Sequence, residues 1–269
     1  MYHTARRLAI TLCLGSVTLA AKAQVAPTDS LGEVRDSVRR LDEVVVYARQ
    51  MLGSKFEARN RTGSAYYLSP KELKKFGYTD ISRMLRAVPG VNIYEEDGYG
   101  LRPNISLRGT KAERSERISL MEDGILAAPA PYAAPAAYYY PNVARMYAIE
   151  VLKGSSQVQY GPFTTGGAVN MVSTPIPKSF QAGLRTSYGS FGTFNTYAHL
   201  GSDHKHVGYL VEYLRYQSKG FKKDEPNERT GFYRNDVVGK LRIHSDEDAE
   251  IRQALELKLG FSNEHSDES

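Results

Sequence analysis

Two patterns of apolar and polar positions share the chain. After Pro177 they alternate one for one. In FQAGLRTSY, Phe180, Ala182, Leu184, Thr186 and Tyr188 fall on one side, and Gln181, Gly183, Arg185 and Ser187 on the other. FNTYAHLG repeats the rhythm, DVVGKLRIHS sets Val237, Leu241 and Ile243 against Lys240, Arg242 and His244, and RQALELKLGFS sets Leu255, Leu257, Leu259 and Phe261 against Glu256 and Lys258. VGYLVEYLRY alternates less cleanly. This period of two predicts about five antiparallel strands over 178–269. Alternation alone leaves a membrane barrel and a soluble β-sandwich both open, because each has one apolar and one polar face.

Between 64 and 177 the pattern is different. Ser69-Pro70-Lys71-Glu72 reads as a helix start, with Ser69 as N-cap, Pro70 at the first helical position and Glu72 completing a capping box. Gly77 ends that helix. Thr79 is expected to cap a second one, whose apolar stripe is Ile81, Met84, Leu85 and Val88 and which Pro89-Gly90 terminates. Short strands are predicted at VNIY, NISLRG, RISLME, AIEVLKG, QVQYG and AVNMVS, with a turn at Asp123-Gly124. In VQYGPFTTGGAVNMVSTPIP, residues 158–177, two apolar runs flank Gly-Pro and Gly-Gly and predict a tight hairpin, stopped by Pro175 and Pro177. The whole reads as one α+β domain. Two loops stand out, 94–104 and the proline-rich, tyrosine-rich 125–141. Long loops in compact domains are often functional. Their aromatic residues either meet a ligand or pack on a wall the sequence does not show.

The first 23 residues read as a secretion signal: Arg6 and Arg7, then LAITLCLGSVTLA, then a small-residue cleavage site at Ala21-Lys22-Ala23. Losing them lowers the formal charge from +5 to +2 and removes Cys13, the sole cysteine. Thiol chemistry and disulfides are then excluded, and a nucleic-acid partner loses its electrostatic support. A signal and long charged strand faces favour the barrel over the sandwich. Residues 24–63 read as a flexible tail, with RQMLGSKFEARNRTG loop-like. Within it stands LDEVVVYA: Leu41, Asp42, Glu43, Val44, Val45, Val46, Tyr47 and Ala48. This β-prone run is either an edge strand of the next domain or a segment that adds itself to another protein's sheet. No nucleophile–base arrangement or phosphate loop points to an enzyme. His204 and His206 sit in a charged turn and read as solvated. Glu95, Glu96 and Asp97, with Glu122 and Asp123, form either a calcium-binding cluster or a solvated acidic surface.

In combination and order, LDEVVVYA, DISRMLRAVPGVNI, NISLRG, LMEDGI, IEVLKG and QYGPFTTGGAVNMVSTPIP resemble the TonB-dependent outer-membrane receptors. GYGLRPNISLRG, AAPAPY and YGPFTTGGAVN most resemble the ferric citrate branch. The resemblance implies a plug domain, 64–177, seated in a transmembrane barrel of about 22 strands, of which 178–269 is the start. The chain is then expected to be an N-terminal fragment. It implies localisation in the outer membrane, Leu41–Ala48 as the box that pairs with the periplasmic TonB protein, and an iron chelate as cargo with no resident cofactor. A non-iron cargo such as a vitamin, haem, sugar or peptide is the alternative. The glycines of 158–177 are expected to let the plug backbone approach the barrel wall closely. Arg108 and Lys153 fall where the family has basic residues facing barrel carboxylates. From charge alone, Arg102, Arg114 and Arg117 are candidates for an anionic chelate, with Tyr132 and Tyr138 as aromatic contacts.

Overall fold

The structure, a computed structural model, describes residues 50–267 apart from 77–79, 97, 128–133, 135, 137–138, 162–164, 225–227 and 247. The expected secretion signal, segment 41–48, Tyr132 and Tyr138 lie outside the described residues.

Helix α1 (Lys55–Asn60) occupies part of the stretch read as tail. Its cap was legible: Ser54 Oγ accepts the Glu57 amide at 3.2 Å, and Ser-x-x-Glu is a helix-start signature. Strand β1 (Ser64–Leu68) follows, then α2 (Pro70–Phe76), α3 (Ile81–Leu85), β2 (Val91–Tyr94), β3 (Asn104–Leu107), β4 (Ile118–Glu122), β5 (Ile125–Leu126), β6 (Met146–Lys153) and β7 (Gly167–Ser173). Glu72 closes back on Ser69 as expected, accepting from its amide at 2.9 Å and its hydroxyl at 2.7 Å. The cap of α3 is Asp80, not Thr79: its carboxylate accepts the Ser82 amide at 2.7 Å.

A mixed sheet forms in the order β1-β6-β7-β4-β5, with β4 and β7 parallel and the other neighbours antiparallel. Both faces are covered. On one, Leu73, Ile81, Met84, Leu85 and Val88 pack on Ile149, Val151, Val169 and Met171. On the other, Met51, Leu52 and Ala58 pack on Tyr67, Ala148, Leu152 and Val172. A strand buried on both sides reads as a near-continuous apolar run, which is why β6 and β7 show no alternation.

The hairpin expected within 158–177 does not form. Residues Ser155–Tyr160 are a 3-10 turn, and β7 pairs instead with β6 and β4. Gly167, at φ 154°, lies so close to β6 that a Cβ would meet the Leu152 carbonyl oxygen at 2.3 Å. The close approach is therefore to the domain's own sheet, not to a surrounding wall.

The second sheet runs in the order β14-β13-β10-β9-β8, antiparallel throughout, from β8 (Gln181–Gly189), β9 (Thr193–His204), β10 (Val207–Ser218), β13 (Phe232–His244) and β14 (Ala254–Ser266). Two-residue strands β11 (Lys223–Asp224) and β12 (Glu228–Arg229) pair within the β10–β13 connection. Among the described residues β8 and β14 each pair on one side only, so the sheet does not close. Its register brings Leu210, Lys240 and Lys258 level across three strands. Register sets a single face, and that face looks onto the first sheet: Lys240 and Lys258 reach Ser173. The opposite face carries Leu184, Val211, Val237, Leu241, Leu257 and Leu259, all exposed.

Candidate functional site at the seam of the two sheets

The seam is built around the turn after β4. Asp123 and Gly124 both have positive φ, 53° and 79°, the signature of the tight turns that join paired strands. This places two successive carboxylates, Glu122 and Asp123, at the sheet's edge against β14. Lys258 spans both, its Nζ donating to Glu122 Oε1 at 2.6 Å and Asp123 Oδ2 at 2.5 Å. Arg145 grips Glu122 with a two-pronged pair, 2.5 and 2.9 Å, the geometry that makes guanidinium–carboxylate pairs strong. It comes from a 3-10 turn, Val143–Arg145, capped by Asn142. Asp123 also accepts from the Ser173 amide at 2.9 Å and from the Ser173 hydroxyl. Lys240 donates to Ser173 Oγ and Thr174 O, each at 2.6 Å.

The network extends along the wall. Arg145 Nε stands 3.9 Å from Asp236, which is bonded by Arg234 at 3.0 and 3.1 Å and by the Ser262 hydroxyl at 2.6 Å. Arg234 lies over the Tyr139 ring and reaches Glu264. Arg145 is only 2% exposed. Burial by itself would raise the Glu122 pKa, but Arg145 and Lys258 outweigh it and hold the carboxyl down at about 2. Asp123 is likewise held below its usual value: Lys240 and Lys258 overcome the cost of burial. Burial disfavours the Arg145 cation, yet Glu122 keeps its pKa above the ordinary value. Glu122 and Asp123 thus fit neither earlier reading. They are buried and paired with cations, so they are neither a solvated surface nor vacant oxygens for calcium.

At one end of the seam, loop 94–104 meets the β10–β13 connection. Tyr99 packs on Phe232 and Phe221, with centroids 4.6 and 5.5 Å apart, and its hydroxyl lies 3.0 Å from Ser218 Oγ. Leu101 joins Tyr197, Leu214, Tyr216 and Phe232 in a small core. Here the loop's apolar residues take the bland alternative, a wall. The same core explains the poor alternation of β10, whose Leu214 and Tyr216 turn inward onto it.

The other sequence candidates are scattered. Arg102 lies in that loop and is half-buried. Arg114 is exposed, at φ 50°, with its amide bonded to Asn104 Oδ1 at 2.7 Å. Arg117 is exposed and lies 3.4 Å from Glu116. Arg108 and Lys153 do come together. Lys153 Nζ donates to the Pro89 carbonyl at 2.5 Å, and the Arg108 guanidinium lies against Gly154, where a Cβ would be 2.6 Å from its Nη1. Lys153 is buried, and that burial together with Arg108 lowers its pKa. Neither cation meets a carboxylate among the described residues. Sequence reasoning missed Arg145, Lys240, Lys258 and Asp236 as seam residues; inward alternation on β13 and β14 was the available signal.

A sheet whose charged face grips a globular domain, and whose other face exposes leucine, valine and aromatic side chains, is the layout of a plugged barrel. Residues 57–168 match the TonB-dependent receptor plug domain. The chain contains a TonB-dependent receptor plug domain. Three solved structures share the fold of plug and adjoining strands. They are the ferric citrate transporter FecA in its unliganded form (TM-score 0.62, 22% identity, 78% of this chain and 33% of that one), the ferric yersiniabactin uptake receptor FyuA from Yersinia pestis (0.62, 21%, 77% and 32%), and the siderophore receptor PirA from Acinetobacter baumannii (0.60, 18%, 78% and 32%). The chain spans about a third of the length of these structures. The second sheet is thus the start of a receptor-type barrel, and the seam is the joint between plug and wall.

Proposed function

We propose that the chain forms the plug and first wall strands of an outer-membrane receptor that imports a ferric chelate, ferric citrate or a siderophore, under the drive of TonB. The observation that carries this reading is the seam: a buried ionic network fastens the plug to the polar face of a sheet whose apolar face suits lipid. Three structures of the same fold are named for ferric chelates or siderophores, and that supports an iron cargo. Loop 94–104, at the end where β10 and β13 are joined, carries Arg102, a candidate for an anionic chelate. Leu41–Ala48 is the segment that TonB would pair with as a strand. Arg108 and Lys153, two neighbouring cations, would be met by acidic side chains of further wall strands.

The test is growth. A strain lacking the gene should fail on ferric citrate as sole iron source and recover with the full gene. A Val45→Pro variant should bind cargo at the cell surface yet lose uptake, because proline cannot donate in a strand ladder. Normal growth of the deletion strain on ferric citrate and on siderophore iron would remove the iron assignment. Normal uptake by Val45→Pro would remove the TonB coupling.

A further inference from the structure

The most deeply placed carboxylate of the plug takes no part in the seam. Glu150, on β6 between β1 and β7, is 0% exposed. Its oxygens accept three successive backbone amides, Met51 at 2.6 Å, Leu52 at 3.0 Å and Gly53 at 2.8 Å, and the Asn170 side-chain amide at 2.9 Å. From the other side, Arg61 donates to the Met51 carbonyl at 2.6 Å. Met51 and Leu52 are themselves buried. Gly53, at φ 71°, then turns the chain into the capped start of α1. A carboxylate in a nest of consecutive amides is a charge-assisted arrangement, about twice as strong per bond as a neutral one. Ordinary helix starts need no such anchor, since Ser54 already caps this one.

What makes the clamp informative is its place along the chain. The held residues follow Leu41–Ala48 almost directly in sequence. A pull delivered through that segment reaches Met51 before it reaches any strand of the sheet. Glu150, by contrast, is fixed on a strand paired on both sides. We infer that Glu150 is the positioning residue of the coupling segment: it fixes the point where that segment leaves the plug and is the first joint a pull must open. This rests on the coupling reading of 41–48 given above, and the test is chosen to separate the two.

The full-length receptor, in outer-membrane vesicles, is tethered by a tag at residue 30 and pulled with a force probe. Hydrogen exchange is followed in parallel. In Glu150→Gln the first rupture should fall to below about half of its parent force, and the amides of 51–53 should exchange at least about tenfold faster, the loss expected for bonds to a charged acceptor. Exchange in β6 and β7 should be unchanged. Arg61→Ala, which leaves no buried charge unpaired, should lower the same rupture by a smaller step and settles the matter if Glu150→Gln fails to assemble. An unaltered first rupture in Arg61→Ala or Glu150→Gln overturns the inference. So does faster exchange spread evenly over β6 and β7, which would make Glu150 a general fold residue. The probe supplies the force, so a failed uptake test with Val45→Pro would leave this result standing.

Discussion

The two five-stranded sheets obey one alternation rule and use it in opposite ways. In the plug sheet β7 is buried on both faces and β6 is buried except at Tyr147. In the wall sheet β14 buries nothing apolar: Leu257 is 53% and Leu259 78% exposed, while Glu256 and Lys258 face the plug. A soluble sandwich would turn those leucines inward, against a second layer. Here the layer beneath the sheet is a folded domain, and it is met by the charged face. The comparison teaches that each face follows its neighbour: the plug sheet is covered by apolar side chains on both faces, whereas the wall sheet turns its charges to a polar domain and leaves its apolar side chains exposed.

The comparison is broken most severely at the joint. Replacing Arg145 by Met removes the only plug cation on Glu122 among the described residues and leaves a buried carboxylate short of a partner. About 3–5 kcal/mol should be lost, read as plug release in urea titration of the full receptor in detergent or bilayer. A wall strand is tested by Leu257→Arg, which sets a cation on the exposed apolar face proposed above to meet lipid. About 2–4 kcal/mol is expected, seen as reduced barrel assembly, whereas the same charge at the inward Gly260 should cost less. The smallest effect comes from acid. Glu122 has its pKa lowered from 4.5 to about 2, so its stabilising share is fully present above about pH 4.5 and is lost as the pH falls through about 2. Plug protection followed from pH 7 to pH 2 should hold to about pH 4 and then decline. A decline beginning near pH 6 would show that another group governs the joint.

Much of this was legible in the sequence, and the reasons are local. The strands β8, β13 and β14 announce themselves because every second residue meets a different medium. α2 was legible because Ser69, Pro70 and Glu72 act on one another within a single turn. α1 carried an equally local signal at Ser54 and Glu57 that a basic, loop-like context obscured. At α3 two adjacent residues, Thr79 and Asp80, are both good N-cap types, so sequence alone does not choose between them; the Asp80 carboxylate takes the Ser82 amide. The false hairpin at 158–177 arose because a short apolar run before a Gly-Pro turn looks like a strand, while the edge that β7 needs is supplied by β4, far upstream. The joint itself was illegible. Lys258 and Glu122 are 136 residues apart, and Arg145 and Glu122 are 23 apart; such pairs leave no spacing to read. Arg108 and Lys153 were singled out by family resemblance, and the structure brings them side by side.

The seam's cations come from two sources, and this has a consequence for how the parts separate. Glu122 is neutralised twice, by Arg145 from its own domain and by Lys258 from the adjoining wall sheet. If the stopper shifts, the lysine stays behind and the arginine travels with the acid. Arg145 keeps Glu122 paired as it moves, whereas Lys258 leaves both of its carboxylates and Asp123 leaves both of its lysines. Opening the joint therefore costs most at Asp123 and Lys258, and the same unpaired charges draw the two parts back together.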